Sequence, residues 1–400
     1  MITDRNRQNW QLAGFTLTRL LVATSFRLLF PFLPAIARGL GVSLEAVALL
    51  VTLRSALGVA GPALGSMADH WGGRAAMLAG LGLFSAGLAL VAVWPTYPVL
   101  AAGLVISGLG NIIVDSTIYA FLGDRFPYDQ RARAMAVVEM GWSGAFVVGI
   151  PLAGWLIARG TWDAPFFWLS LLGLVALMWM RGLMPQDGGR RASGSRWWEG
   201  LGRLLKEPVA WMGLLFNFTL VSGYQAINIV YGAWMETQHN LSVEALGAAS
   251  TLLGIAGIGG VLVVALVSDR IGKPRAIVGG IVGIIASCLA LYTMRGSLVG
   301  SMASLFALYL SFEVALVSGL PLMTELVPGA RATLMAGNVA AIAAGDAAGA
   351  VLGSFLFRWG MPANAGFAVV VTGLALVVLI VLFRAIRPGP TVVARVRSER

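Results

Sequence analysis

The sequence predicts an all-α membrane protein, with twelve transmembrane helices in two pseudo-symmetric six-helix bundles. Three observations carry this. The 400 residues are 58% hydrophobic and only 12% charged, with mean hydropathy +0.83, against about 25% charged in soluble domains. Apolar stretches of about 20 residues or more, enough to cross a ~30 Å hydrocarbon core at ~1.5 Å per residue, recur along nearly the whole chain. Short motifs then return at an offset of 200 residues.

In order, the spans fall at 12–37, 44–68, 75–94, 97–122, 133–158, 164–184, 208–235, 243–268, 275–294, 297–325, 332–357 and 363–386. The first follows Arg5 and Arg7 but is too long for a signal-peptide core, and no small-residue cleavage site follows it. With both termini cytoplasmic, twenty-one Lys and Arg fall in cytoplasmic segments. Only Arg38, Arg159, Arg295 and Arg358 fall in outer loops. This asymmetry predicts a multi-pass protein of the bacterial inner (plasma) membrane. It also accounts for the net charge of +10 as topogenic charge facing anionic lipid, so no nucleic-acid partner is expected. Cys288, the single cysteine, lies in an apolar span and excludes an internal disulfide.

The one long polar segment divides the chain. Residues 1–184 are expected to form an N-terminal six-helix bundle. Residues 185–207 form a cytoplasmic linker, and residues 208–400 a C-terminal bundle with a basic tail. The linker begins with Gly, Ser and Arg and turns amphipathic around Trp197, Trp198, Leu201 and Leu204. It reads as a short helix on the membrane surface or as a plain disordered connection. Met67-Ala68-Asp69 through Arg74 follows the second span, and Val267-Ser268-Asp269-Arg270-Ile271-Gly272-Lys273 follows the eighth. Met135-Ala136 and Met335-Ala336 open the fifth and eleventh.

Gly65-Ser66-Met67-Ala68-Asp69-His70-Trp71-Gly72-Gly73-Arg74 resembles the major facilitator loop signature G-x-L-A-D-R-x-G-R-R. The resemblance implies a duplicated six-helix architecture with a site between the halves near the midplane. It also implies that Gly65, Asp69, Gly72 and Arg74, with Asp269, Arg270 and Gly272 in the second half, latch one conformation. A topogenic turn without a gating role is the alternative. Gly149-Ile150-Pro151-Leu152-Ala153-Gly154 resembles the Gly-Pro kink of drug and sugar efflux carriers. Proline removes one helix hydrogen bond, and glycines at 149 and 154 permit close packing. One departure stands out: Leu104 lies where efflux carriers place an arginine tied to proton coupling.

Seven ionisable residues lie well inside spans: Arg19, Arg27, Arg54, Asp115, Glu139, Glu313 and Asp346. Such groups are costly in hydrocarbon, so each is a candidate functional residue. None falls in spans 3, 6, 9 or 12. Counting helix rise puts Arg19, Asp115 and Glu139 at similar depth, as one buried ionic cluster, either a satisfied ion pair or part of transport. Arg27 and Arg54 sit nearer the middle and are cavity candidates. Glu313 and Asp346 have no Lys or Arg within the spans of their own half. They are the first proton-coupling candidates because arginine does not release its proton, and Asp115 is the next. In span 7, Asn217, Tyr224, Gln225, Asn228 and Tyr231 suit a cavity wall or a packing stripe.

No P-loop, metal-ligand cluster or nucleotide fingerprint appears, so no enzyme, metal or cofactor is expected beyond a proton gradient. The expected function is secondary active transport of a small solute by a monomer in the bilayer, by proton-coupled efflux with alternating access. The alternatives are proton-coupled uptake of an anionic solute, or a non-transporting lipid-scrambling or sensing relative.

Overall fold

The computed structural model describes residues 4–61, 72–126, 128–185, 207–327 and 331–386. Gly65, Asp69, the side chain of Asp269, and the amphipathic part of the linker lie outside the described residues. Within them no strand occurs, and the chain forms twelve helical spans. Helix 1 comprises Asp4–Arg27 and Leu29–Leu40, and helix 2 runs through Leu44–Leu57. Helices 3, 4 and 6 are Gly73–Val93, Tyr97–Arg125 and Ala164–Leu183. Helix 5 comprises Tyr128–Gly144 and Ile150–Arg159. Helix 7 comprises Pro208–Asn228 and Tyr231–His239, and helix 8 begins as Val243–Val263. Helices 9 to 12 are Lys273–Met294, Leu298–Leu326, Arg331–Leu356 and Met361–Ile386. Ten of these are long and apolar enough to cross a membrane by themselves, and the bent pair in helix 1 makes an eleventh.

Helices 1, 5 and 7, which read as continuous in sequence, are interrupted. Helix 1 bends by 53° at Leu28. Pro31 has no N–H to return to the carbonyl of Arg27, so the helix cannot continue regularly. Helix 7 breaks at Ile229–Val230. No proline is present there. The amide of Val230 bonds to the carbonyl of Ile227 at 3.2 Å, a turn tightened to three-residue spacing. The two breaks sit about 200 residues apart, so the repeat seen in the motifs recurs in the backbone. Helix 5 departs from regularity over Ala145–Gly149, a π segment. Pro151 cannot donate to the carbonyl of Val147, and the amide of Ile150 instead reaches Ala145, five residues back. The irregularity expected around the Gly-Pro motif therefore lies just ahead of the proline.

Gly72 and Gly272 each precede a helix, with φ of +79° and +87°. At their ψ of 147° and 139° this backbone region is open almost only to glycine. That is why a glycine stands at both positions of the repeat. Elsewhere glycines let helices touch. A Cβ on Gly87 would lie 2.6 Å from the carbonyl of Gly103, and one on Gly110 would lie 2.5 Å from that of Gly80, so helices 3 and 4 pack backbone to backbone.

The two halves also touch at the end remote from the chain termini. There Gly232 of helix 7 crosses Pro31 of helix 1; a Cβ on it would sit 2.4 Å from the Pro31 carbonyl. Gly247 of helix 8 lies against Pro151 of helix 5. Two ion pairs bridge the halves at this distal end: Arg38 to Glu236 at 2.6 Å and Arg358 to Glu45 at 2.9 Å.

Candidate functional site: a charged cavity between the halves

Between the halves lies a cavity of about 390 Å³. Its walls come from helices 1, 2, 4 and 5 of the first half and 7, 8, 10 and 11 of the second. Among the described residues, helices 3, 6, 9 and 12, which carry no intramembrane charge, contribute nothing to it. Six of the seven intramembrane charges line it: Arg19, Arg27, Arg54, Asp115, Glu313 and Asp346. The seventh, Glu139, stands behind Arg19. Accessibility rises toward the end that bears the chain termini. The side chains of Asp115 and Glu139 are 27% and 41% exposed, whereas Arg54, deeper in, is buried.

The N-half cluster is assembled around one guanidinium. Arg19 forms an ion pair with Asp115, a second with Glu139 at 3.4 Å, and a hydrogen bond to the Tyr119 hydroxyl at 3.2 Å. Tyr119 in turn donates to Glu139. Tyr119 is a member that counting charges alone does not reveal. Arg19 also lies over the ring of Trp142, 4.7 Å from its centroid, a favourable cation–π placement.

Arg54 is spent on architecture. Its guanidinium donates to the carbonyl of Ser25 at 2.8 Å and to the Ser25 hydroxyl at 3.1 Å. Ser25 sits in the last turn before the break in helix 1, where carbonyls lose their intrahelical donors. A cation at a helix C-terminus is also favoured by the dipole. Arg27, in that same last turn, is held differently. It rests over Trp142 at 4.4 Å and Phe146 at 3.9 Å, and it makes no hydrogen bond or ion pair with any described residue.

In the other half, Glu313 has no hydrogen-bond partner among the described residues. It packs along Gly257 and Gly260 of helix 8 and interacts electrostatically with Arg27 across the cavity. Asp346 accepts one hydrogen bond, from Ser55 Oγ at 3.0 Å. That bond joins helix 11 to helix 2 and so spans the two halves.

Helix 7 divides the five residues expected in a cavity wall or a packing stripe. Tyr224, Gln225 and Asn228 line the cavity. Asn217 does not. It is buried and donates to Asn338 on helix 11 at 2.7 Å. Tyr231 lies beyond the helix break, buried, with its hydroxyl 2.8 Å from Ser250 on helix 8. The break at Ile229–Val230 is the physical reason, because it turns Tyr231 off the face that a continuous helix would present. Tyr224 stacks on Phe312 with centroids 3.8 Å apart and meets Tyr309 edge-on. Tyr309 donates to Asn228, which donates to Gln225 at 2.8 Å. Trp142, Phe146, Tyr309 and Phe312 give the cavity its aromatic character, and charge-based reasoning passes over them. The available signal was spacing: Tyr309 and Phe312 stand four and one residues before Glu313 on helix 10.

Of the loop residues, Arg74 donates to the carbonyl of Arg181 at 2.8 Å, within its own half rather than across the interface between the halves. Arg270 is exposed. Gly149 and Gly154 make tight contacts; added Cβ atoms would meet Thr24 and Phe32 of helix 1 at 2.0 and 2.9 Å.

The family model described as Major Facilitator Superfamily matches residues 15–318 and 223–399. The chain is 26% identical over 344 residues to "Uncharacterized MFS-type transporter YceJ" of Bacillus subtilis, spanning 84% of this chain and 87% of that one. It is 24% identical over 242 residues to "Quinolone resistance protein NorA" of Staphylococcus aureus, spanning 59% and 61%. Two solved structures share its fold. One is a mutant form of the peptide transporter POT (TM-score 0.76, 16% identity, 94% and 93% coverage). The other is a bacterial homologue of the human lysosomal transporter Spinster in an inward-facing, occupied conformation (TM-score 0.74, 14% identity, 94% and 97% coverage). The twelve-helix fold in two related halves and the match along both halves lead to one conclusion: this chain belongs to the major facilitator superfamily.

Proposed function

We propose that this chain is a proton-coupled secondary transporter that moves a small amphipathic solute across the bacterial inner membrane by alternating access of its central cavity. Glu313 and Asp346 are its proton-carrying groups. One observation carries the reading: both carboxyls line the cavity shared by the two halves, and neither is hydrogen-bonded to a basic residue. A carboxyl so placed can gain and lose a proton as the cavity changes sides, which a paired one does less readily. The arginine asymmetry of the loops supports cytoplasmic placement of both termini. The distal ion pairs then close the outer side, and the cavity faces inward. In this reading the halves 1–184 and 208–400 rock as bodies joined by the 185–207 linker, and the loop around Asp69 latches one state.

Two directions of coupling differ in what supports them. The Gly149–Gly154 motif and the similarity to a quinolone resistance protein favour exchange, in which solute leaves as protons enter. The lack of a hydrogen-bonded partner on Arg27 favours a second form, in which an anionic solute and protons move together. The test is solute flux into proteoliposomes with and without an imposed pH gradient. Glu313→Gln and Asp346→Asn are expected to lose the gradient-driven component and keep passive exchange. Wild-type response in both variants would refute the assignment, and Asp115 would become the next candidate.

A further inference from the structure

The cavity holds three guanidinium groups, and two have polar partners. Arg19 has Asp115, Glu139 and Tyr119, and Arg54 has both oxygens of Ser25. Arg27 has none of these. Its Nε, like that of Arg19, is buried without a hydrogen-bond partner, but unlike Arg19 it makes no ion pair among the described residues. The rings of Trp142 and Phe146 lie against its face. An aromatic ring attracts the face of a guanidinium and leaves its N–H edge free to bind something planar. In the same cavity the Nε2 of Gln225, a donor, and the Oδ1 of Asn111, an acceptor, are also buried without partners. A buried cation with unused donors is costly, and a site built this way is completed by an anion.

We infer that the cavity takes an aromatic monoanion, with its carboxylate or similar acid group on the N–H edge of Arg27 and its ring among Trp142, Phe146, Tyr224 and Phe312. This rests on the cavity being the transport site, as proposed above, and it selects the second of the two coupling forms. The charge count sets the sense of coupling. Three arginines and three carboxyls (Asp115, Glu313 and Asp346) line the cavity, and Glu139, paired with Arg19 from behind, adds a fourth carboxyl, one negative charge in excess when all are ionised. A bound monoanion would make that two. Arg27 of helix 1 acts electrostatically on Glu313, and Glu313 in turn on Tyr224 of helix 7. From helix 8, Gly257 and Gly260 pack against it, and Asp115 and Asp346 line the same cavity from helices 4 and 11. When the solute's acid group replaces Glu313 as the counter-charge of Arg27, Glu313 takes a proton from solvent. The anion and one proton therefore occupy the site together.

Three probes of one shape test this on purified protein in nanodiscs, with protein-free discs subtracted: 2-naphthoate, 2-naphthamide and 2-naphthylmethylammonium. Calorimetric titration in two buffers of different ionisation enthalpy reads affinity and proton uptake together. Naphthoate is expected to bind at least about tenfold tighter than the amide, the scale of one charge-assisted contact, with about one proton taken up per site. Arg27→Gln should lose the carboxylate preference while keeping amide binding, and Arg27→Lys should recover part of it. Glu313→Gln should bind naphthoate without proton uptake. Preference for the ammonium probe overturns the inference, as does undiminished carboxylate preference in Arg27→Gln or no naphthoate binding at millimolar concentration. Glu313→Gln is read separately, so a poorly folded Arg27→Gln leaves the test intact. Gradient-driven flux without carboxylate preference would sink the anion site and spare the transport reading. Carboxylate binding with proton uptake, but no gradient-driven flux in wild type, would do the reverse.

Discussion

Consider the substitution Asp115→Asn. Removing one partner of a buried ion pair costs about 3–5 kcal/mol, because the other charge is left uncompensated. Here the cost falls toward or below that lower limit. The side chains of Arg19 and Asp115 are 11% and 27% exposed. Arg19 also keeps Tyr119 at 3.2 Å and Glu139 at 3.4 Å. About 2–3 kcal/mol is expected. Glu139→Gln is the internal control. Its side chain is 41% exposed and its contact with Arg19 is longer, so it behaves more like a surface pair, worth about 0–1 kcal/mol. If a six-helix half melts as one unit, each kcal/mol moves Tm by about 2–4 °C. Asp115→Asn should then lower Tm by about 4–12 °C and Glu139→Gln by less than about 4 °C. The assay is thermal unfolding in detergent, followed by tryptophan fluorescence. A double-mutant cycle of Arg19→Gln with Asp115→Asn should give a coupling of at least about 1 kcal/mol. If Asp115→Asn is no worse than Glu139→Gln, or if the cycle is additive, Arg19 does not depend on Asp115 and the reasoning fails.

Gly232→Val introduces a side chain 2.4 Å from the Pro31 carbonyl, where backbone cannot retreat. It should force the halves apart at the distal end and raise maleimide labelling of a cysteine placed at Ala233, which is buried there. Arg38→Glu should raise the same labelling by breaking the pair with Glu236, and Glu236→Arg in the same chain should restore protection; absence of restoration would show that the pair does not hold the closure. Gly272→Ala must adopt φ near +87° and should cost about 1–3 kcal/mol, read as a lowered Tm. Asn217→Leu leaves Asn338 without its 2.7 Å donor and should cost about 1–3 kcal/mol while solute flux per folded protein is unchanged, since Asn217 does not line the cavity.

Much of this fold was legible because hydrocarbon imposes simple rules. Span length, arginine asymmetry and the 200-residue repeat are one-dimensional quantities, and together they point to twelve helices in two halves. Charge in hydrocarbon is costly enough that Arg19, Asp115, Glu313 and Asp346 announce themselves. Helix irregularity was less legible. Pro31 and Pro151 are visible, but whether proline produces a bend, as at Leu28, or a π segment, as at Ala145–Gly149, depends on what the neighbouring helices accept. At Ile229–Val230 there is no breaker residue to read, so which of the two roles Tyr231 takes has no signal in the sequence. Partnership was legible only for like-with-unlike charge. That Arg54 caps Ser25 while Arg27 rests on two rings follows from the bend in helix 1, and depth counted from helix rise treats the two arginines as equals.

The paired breaks in helices 1 and 7 change what each of those helices is mechanically. The first piece of helix 1, Asp4–Arg27, packs within its own half. The second, Leu29–Leu40, lies against the second piece of helix 7 and is tied to it through Arg38 and Glu236. Each helix is thus a pair of levers sharing an irregular joint, and the distal levers of both halves form a crossed unit of their own. Relative rotation of the halves can be absorbed as swivel at Leu28 and at Ile229–Val230, without sliding one packed surface over another. Arg54, gripping the frayed carbonyl of Ser25 from helix 2, acts as the bearing of one such joint, and helix 7 has no guanidinium to match it. The two joints are therefore unequal in stiffness, and the molecule is expected to flex more readily about helix 7 than about helix 1.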